Sequence, residues 1–142
     1  MIRTGSTISM EAWDKLYKPN LDLNHAWGAA PANIIVRKLM GVEPLTPGGE
    51  LIQIKPQLGG LSFARLETTM LKGKVLVSCK KNTDEESMEV IIPGDTKANI
   101  YLACDSNKTA LWMDGKRTTL TPQGGFFIIK NVSAGRHFFI KQ

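Results

Sequence analysis

The sequence predicts a mainly β protein, an antiparallel β-sandwich preceded by one α-helix. Apolar side chains recur at helical spacing between residues 26 and 40. After about residue 50, short apolar stretches alternate with turns rich in Gly, Pro, Asn and Asp. A content of 42% hydrophobic and 22% charged residues is typical of a globular chain, and 142 residues suffice for one packed core.

The predicted helix occupies residues 26–40. Pro31 fits only a first turn, because proline lacks the N–H that an interior position needs. The regular helix is therefore expected to begin near Gly28 or Ala29. The apolar positions with helical spacing are Trp27, Ala30, Ile34 or Ile35, and Leu39.

The end of this helix is marked by two kinds of residue. Arg37 and Lys38 favour the negative end of the helix dipole, and Gly41 is placed to cap the helix in the left-handed conformation. A single helix cannot bury its apolar faces alone. The strands that follow, or helices outside this chain, would have to cover them.

Strands and turns are predicted for everything after a linker at residues 43–49. Asp114 followed by Gly115 is the strongest hairpin signal, a residue pair typical of a two-residue turn. Short strands with turns at this spacing indicate an antiparallel sandwich, and we divide the chain into residues 1–45 and 46–142. The predicted strands cover residues 51–56, 63–69, 74–80, 88–92, 98–103, 110–113, 126–129 and 137–140.

The formal charge of +5 makes nucleic acid the first partner to consider. The basic residues are scattered from Arg3 to Lys141 in runs of no more than two, so a mixed, solvated surface is the better interpretation. No apolar run approaches the ~20 residues that a membrane-spanning helix needs. The first residues also lack the apolar segment of a secretory signal. We expect neither a nucleic-acid nor a membrane partner, and the sequence specifies no compartment.

The two cysteines and two histidines do not predict a metal centre. Cys79 and Cys104 lie in apolar, strand-like stretches and are expected to be buried thiols, with a disulfide left as the alternative. His25 and His137 are far apart and have no partner at ligand spacing. We expect no metal and no cofactor.

Aromatic residues in the predicted strands have two possible uses, in the core or on a surface platform. Consecutive strand residues point to opposite faces, so Phe126 with Phe127, and Phe138 with Phe139, can each expose only one ring. Core packing is the favoured use. Trp112, beside the hairpin turn, is the best candidate for an exposed aromatic ring of the sandwich.

Chemically capable side chains are concentrated in the first thirty residues. Glu11 stands two residues before Trp13, and His25 two residues before Trp27. Aromatic faces stack on sugar rings, and carboxylates and imidazoles hydrogen-bond hydroxyl groups. The combination fits a carbohydrate site, although an ordinary turn with core side chains is the commoner source of such residues.

In their order along the chain, these residues resemble the end of the catalytic barrel of the α-L-rhamnosidases of glycoside hydrolase family 78. Residues 5–14 match the family's Gly-x-Thr-x-x-x-Glu-x-Trp-Asp segment, and residues 24–29 match the Asn-His segment that opens its last barrel helix. A Gly-x-x-Pro turn at residues 41–44 then leads into a carboxy-terminal β-sandwich. The first sandwich strands of the family resemble residues 52–56, 64–69 and 73–78.

The resemblance implies that the chain is the carboxy-terminal part of an inverting α-L-rhamnosidase, with residues 1–45 a remnant of its α/α barrel. Glu11 would be the general base and His25 a residue that binds the rhamnose. The general acid and most of the sugar pocket would lie outside this chain, so the chain alone is expected to be inactive. Its implied partners are a rhamnose-containing carbohydrate, in the complete enzyme, and the missing barrel portion.

Two further expectations follow from this sequence. A barrel helix without its neighbours should expose an apolar patch, with self-association as the consequence. Two other functions stay open, a stand-alone carbohydrate-binding module and a sandwich that only supports a barrel.

Overall fold

A computed structural model describes residues 8–104 and 110–142 of the protein. The chain forms two compact units, Met1–Ile35 and Val36–Gln142. The predicted division at residue 45 stays a prediction, because compactness does not test which residues derive from a barrel. Residues 5–7 of the barrel-like motif lie outside the described residues.

The predicted helix forms with three successive geometries instead of one. A 3₁₀ helix, Ala26–Ala29, is followed by the short α-helix α1, Ala30–Ile34, and by a π-helical turn, Ile35–Leu39. Pro31 lies in the first turn of α1, as predicted. Neither α1 nor the π-helical turn contains a fully buried residue, so little packing holds this segment in one regular geometry. In the described part of the chain, no helix is long and apolar enough to cross a membrane.

The mainly β fold class is confirmed. Within the described residues, the strands form a four-stranded sheet in the order β1-β2-β6-β9 and a six-stranded sheet in the order β3-β4-β5-β10-β7-β8. The strands are β1 (Val42–Pro44), β2 (Leu51–Ile54), β3 (Phe63–Met70), β4 (Gly73–Lys81), β5 (Glu86–Ile92), β6 (Lys97–Ala103), β7 (Leu111–Met113), β8 (Lys116–Thr118), β9 (Phe126–Val132) and β10 (Gly135–Lys141).

The two sheets bury one face each in a shared core. Every second side chain of β2 and β4 is buried, which is the alternation that the sequence predicted for strands with one inner face. Ile52 and Ile54 of one sheet, and Val75 and Val77 of the other, are completely shielded from solvent. Val36 and Leu39 of the π-helical turn, with Met40, pack against the same core.

One strand pair departs from the antiparallel expectation. β2 and β6 pair in parallel, with Ile52 beside Ala98 and Ile54 beside Ile100. The three strands between them in the chain belong to the other sheet. The chain therefore re-enters the first sheet at the end where β2 begins, and β6 runs in the same direction as β2.

The sequence analysis missed β1, which it assigned to a turn and linker. Val42 pairs with Ile54 and is 2% exposed, so both the backbone and the side chain of this segment are used by the sandwich. Pro44 is compatible with the strand because β1 lies at the edge of its sheet, where a missing N–H costs no ladder bond.

The predicted hairpin and thiols are confirmed. Asp114 and Gly115 both have positive φ, 51° and 77°, and join β7 to β8. Cys79 and Cys104 are buried and form no disulfide. Burial, aided by the nearby Glu86 carboxylate, raises the pKa of the Cys79 thiol to about 12, so this thiol is uncharged at neutral pH.

Gly41 ends the helical segment, and β2 passes it at close range. The Lys55 amide donates to the Gly41 carbonyl oxygen at 3.1 Å, and the Gln57 amide donates to the Leu39 carbonyl oxygen at 2.8 Å. Gly41 has a φ of 66°, the left-handed cap that the sequence predicted. A Cβ atom at this position would overlap the backbone of Lys55.

We expect Gly41→Ala to destabilise the protein more than Gly59→Ala. Both glycines have positive φ, 66° and 57°, so each alanine carries about 1–2 kcal/mol of left-handed strain. Only at Gly41 does the new Cβ also overlap backbone, since nothing lies within 4 Å of the corresponding position at Gly59. Urea unfolding should give a difference of about 2 kcal/mol or more in the free energy of unfolding. Equal losses would contradict the packing at Gly41.

Candidate functional site

The loop that carries Glu11 folds back on itself. The Glu11 amide donates to the Asp22 carbonyl oxygen at 3.4 Å, and the Asp22 amide donates to Glu11 Oε2 at 3.3 Å. Between these residues Asp14 holds a turn, accepting bonds from the amides of Leu16 at 3.0 Å and Tyr17 at 3.1 Å. Because of this turn, Glu11 lies beside residues that follow it by more than ten positions.

Glu11 and His25, the two residues predicted for the site, lie together. Glu11 Oε1 is 3.8 Å from His25 Nδ1 and forms an ion pair with Lys18. The same His25 nitrogen is 3.4 Å from Asp22 Oδ2. The Glu11 side chain is only 4% exposed, whereas that of His25 is 37% exposed. Glu11, Lys18, Asp22 and His25 thus form one group, the Glu11 cluster, in which a sheltered carboxylate has a more accessible imidazole at its edge.

Lys18 controls the protonation of Glu11. Its hydrogen bond to the carboxylate is the largest effect and lowers the pKa of Glu11 below its usual value. Burial raises that pKa, but the Asp22 amide and the charges of Lys18 and His25 add to the lowering. Glu11 is therefore ionised at neutral pH. The stability that this charge contributes is present at neutral pH and is lost as the pH falls through the lowered pKa.

The tryptophans of the two motifs differ in how close they lie to the Glu11 cluster. The His25 and Trp27 rings lie 4.2 Å apart between centroids, and Lys18 Nζ is 5.9 Å from the centre of the Trp27 ring. Trp27 is 62% exposed, so part of its surface is open beside His25. Trp13 is 91% exposed and does not shelter the carboxylate, although it stands only two residues after Glu11. Of the two motif tryptophans, Trp27 is thus the one that lies beside the cluster.

Gly28 allows the segment before Glu11 to approach the start of the helix. It is buried, and a Cβ atom there would overlap the carbonyl oxygen of Ser9. Ser9 precedes Glu11 by two residues, and Gly28 follows His25 by three. This close approach therefore fixes the two ends of the cluster relative to each other.

Two cluster members, Lys18 and Asp22, were not identified from the sequence. Both lie in the polar gap between the two recognised motifs, where spacing alone gives no sign of a shared site. For Lys18 the available signal was its positive charge near a candidate carboxylate, whereas Asp22 contacts Glu11 through its backbone amide, which the sequence does not reveal. In the described residues, no group of three or more His, Cys, Asp or Glu side chains is arranged to bind a metal ion.

The sandwich does not present the aromatic platform that a carbohydrate-binding module would need at Trp112. This ring is half-buried, not exposed as the sequence suggested, because Trp112 lies between Ile140 and Arg117 on the two neighbouring strands. Tyr101 and Phe126 are close, but their rings meet edge to face, 6.3 Å apart at 80°.

The paired phenylalanines behave as predicted. Phe127 is 2% exposed and Phe139 1% exposed, while their neighbours Phe126 and Phe138 point to the other face and are more exposed. Each pair therefore contributes one ring to the core.

Comparisons with known proteins point to one family. The family model described as the bacterial alpha-L-rhamnosidase C-terminal domain matches residues 41–112. The solved alpha-L-rhamnosidase of Dictyoglumus thermophilum is similar over 100% of this chain, with a TM-score of 0.85 and 21% identity. Those of Streptomyces avermitilis, complexed with L-rhamnose, and of Aspergillus terreus are each similar over 98% of the chain. Their TM-scores are 0.78 and 0.71, at 22% and 18% identity.

The extent of these matches limits what they establish. The chain spans 17%, 14% and 15% of the length of the three solved enzymes. At such identities the likeness shows a shared fold. No curated protein matches the chain.

Replacing Lys18 should raise the pKa of Glu11. Lys18→Met removes the bond that lowers this pKa most and leaves burial, which raises it. Lys15→Met changes an exposed lysine of the same loop and should leave the pKa of Glu11 unaltered. A carbon-13 NMR titration of the Glu11 carboxyl group measures both. The same pKa in the two variants would show that Lys18 does not control this carboxylate.

Proposed function

This chain belongs to the family of bacterial α-L-rhamnosidase C-terminal domains, and we propose that it works as the carboxy-terminal portion of an inverting α-L-rhamnosidase. In this role it supplies one catalytic carboxylate, Glu11, and one sugar-binding residue, His25. A larger catalytic portion supplies the general acid and the rest of the pocket. The substrate is a carbohydrate that carries a terminal α-linked L-rhamnose.

The proposal is carried by the distance of 3.8 Å between Glu11 Oε1 and His25 Nδ1. These are the two residues that the family resemblance selects, and they are separated by a polar loop in the sequence. An ordinary surface loop has no need to shelter a carboxylate to 4% exposure. A carboxylate sheltered beside an accessible imidazole is instead suited to a site that must exclude bulk water and still admit a ligand.

In the proposed reaction, Glu11 acts on water. The carboxylate removes a proton as the water oxygen attacks the anomeric carbon. The bond to the leaving oxygen breaks on the opposite side, and the general acid of the larger portion donates a proton to that oxygen. Inverting enzymes place the two carboxyl groups about 6.5–9.5 Å apart to leave room for the water.

The environment of Glu11 supports the role of base. A general base must be unprotonated at working pH, and Lys18 keeps the Glu11 pKa low. Oε1 is occupied by Lys18, while Oε2 accepts only a long bond of 3.3 Å from the Asp22 amide among the bonds described for it. Oε2 is therefore the atom we assign to the attacking water.

His25 and Trp27 together fit a sugar ring. The imidazole can exchange hydrogen bonds with hydroxyl groups, and the exposed part of the Trp27 ring offers an apolar face beside it. The 3₁₀ helix Ala26–Ala29 holds the two rings within 4.2 Å of each other. We therefore assign recognition to His25 and Trp27, and proton transfer to Glu11.

The larger catalytic portion would cover the exposed helix. Trp27, Ile34 and Ile35 are 62%, 56% and 46% exposed, which is unusual for large apolar side chains on one short segment. The solved relatives are several times longer than this chain, so they contain additional structure of the kind that could cover such a surface. Without it, the same surface favours self-association.

The test of the catalytic assignment uses the full-length enzyme that contains this chain. Glu11→Gln should reduce kcat by about 10²–10⁴-fold, since it removes the base but keeps the size of the side chain. His25→Ala should mainly raise KM. Glu50→Gln, a change at an exposed carboxylate of the sandwich, is the matched control and should leave both parameters unaltered.

The pH dependence separates catalysis from folding. Lys18→Met should move the acidic limb of the kcat/KM profile to higher pH, because the pKa of the base rises. Wild-type turnover and an unchanged acidic limb in Glu11→Gln would rule out Glu11 as the base. A Tm shift without a change in the rate would assign the residue a structural role only.

Self-association through the exposed helical segment can be measured on the isolated chain. The wild-type protein should pass from monomer to dimer as its concentration rises, and Ile34→Glu should shift this transition to about tenfold higher concentration or beyond. Leu71→Glu changes a leucine that is 83% exposed and lies outside the helix, so it should behave like the wild type. Sedimentation velocity distinguishes them, and a wild-type monomer at every concentration would contradict the expectation.

A further inference from the structure

A cavity of about 410 Å³ opens at one end of the two sheets. It lies where β4, β5 and β10 of the six-stranded sheet face β6 and β9 of the four-stranded sheet, and residues 56–59 after β2 close one side. Its volume falls in the usual range of small-molecule sites, which is about 300–1,000 Å³. Neither Glu11 nor His25 lines it, so it is a different site from the one proposed for catalysis.

The interior of the cavity is apolar. The side chains that give it this character come from both sheets and from the loop after β2: Leu58, Cys79, Met88, Leu102 and Phe139. Cys79 adds little polarity, since burial keeps its thiol uncharged. A bound molecule must therefore place an apolar body here.

The charged residues of the cavity wall are three lysines and one glutamate. Glu86 lies 3.0 Å from Lys81 Nζ and 2.6 Å from Lys141 Nζ, so two ammonium groups share one carboxylate. Lys80 adds a further positive charge to the wall. The excess of positive charge favours an anionic group on the ligand.

Lys141 connects the two sheets at this point. Besides Glu86 of β5, its ammonium group donates to the carbonyl oxygen of Ala103 at the end of β6, at 2.6 Å. Its side chain is only 11% exposed, so a positive charge is held at a fixed place in a sheltered position. Burial alone would raise the pKa of Glu86, but the bonds from Lys141 and Lys81 lower it, and the carboxylate stays ionised.

We propose that this cavity binds a small amphipathic carboxylate, with its apolar body against Met88 and Leu102 and its carboxylate beside Lys81 and Lys141. A neutral sugar fits less well, because many of its hydroxyl groups would meet the side chains of Met88, Leu102 and Phe139, which offer no hydrogen bonds. An ammonium ligand would be repelled by the excess of lysines. The site is independent of the proposed catalytic role.

Binding can be observed in the full chain with methyl-labelled methionine. Sodium octanoate is the probe, and octylammonium chloride of the same chain length is its counterpart. Octanoate should shift the Met88 methyl signal, which lies in the cavity, and leave Met70 of β3 unchanged. Calorimetry should show octanoate binding at least about tenfold more tightly than octylammonium.

Variants test the location and the charge separately. Leu58→Trp should fill the cavity and abolish the Met88 shift, whereas Leu71→Trp, at an exposed leucine outside the cavity, should not. Lys81→Gln, at a side chain that is 45% exposed, should weaken octanoate binding several-fold. Lys72→Gln, outside the cavity, should have no such effect.

Three results would overturn the proposal. They are the absence of a Met88 shift with octanoate, equal affinity for octanoate and octylammonium, and undiminished binding in a folded Leu58→Trp variant. The first removes the site, the second removes the assigned charge preference, and the third places binding elsewhere.

Discussion

Mutual burial of two sheet faces is the constraint on which the sandwich depends. A sheet with one apolar face cannot stay in water alone, and here Ile52 and Ile54 of the smaller sheet meet Val75, Val77 and Val90 of the larger one with no solvent between them. The chain must therefore cross between layers, and the parallel pairing of β2 with β6 follows from that crossing. Gly41 and β1 also serve the burial of these faces, since they let the end of the helical segment pass close to β2.

The Glu11 cluster is stabilised differently from the apolar core of the sandwich, because its members are polar and carry opposite charges that pair. A sheltered carboxylate is unfavourable unless a cation or a hydrogen-bond donor accompanies it, and Lys18 and the Asp22 amide provide both. The same partners keep Glu11 ionised. Structure and proposed chemistry are thus linked through one group, since the bond that permits the shelter also prepares the carboxylate to accept a proton.

The two proposed sites differ in what they need from outside the chain. The role proposed for the Glu11 cluster requires a general acid from a larger catalytic portion, so its chemistry depends on further structure. The cavity between the sheets has its apolar interior and charged wall within the sandwich itself.

Sequence alone determined the features that depend on near neighbours in the chain. Alternating apolar residues located the strands from β2 to β10 apart from the short β8, and Asp114 with Gly115 located a hairpin, because both patterns act over a few residues. Family resemblance selected Glu11 and His25. The tertiary structure alone decided that Val42 joins an edge strand, that Trp112 is half-buried between neighbouring strands, and that Lys18 and Asp22 accompany Glu11. These outcomes depend on which distant backbone segments come together, and spacing along one chain does not contain that information.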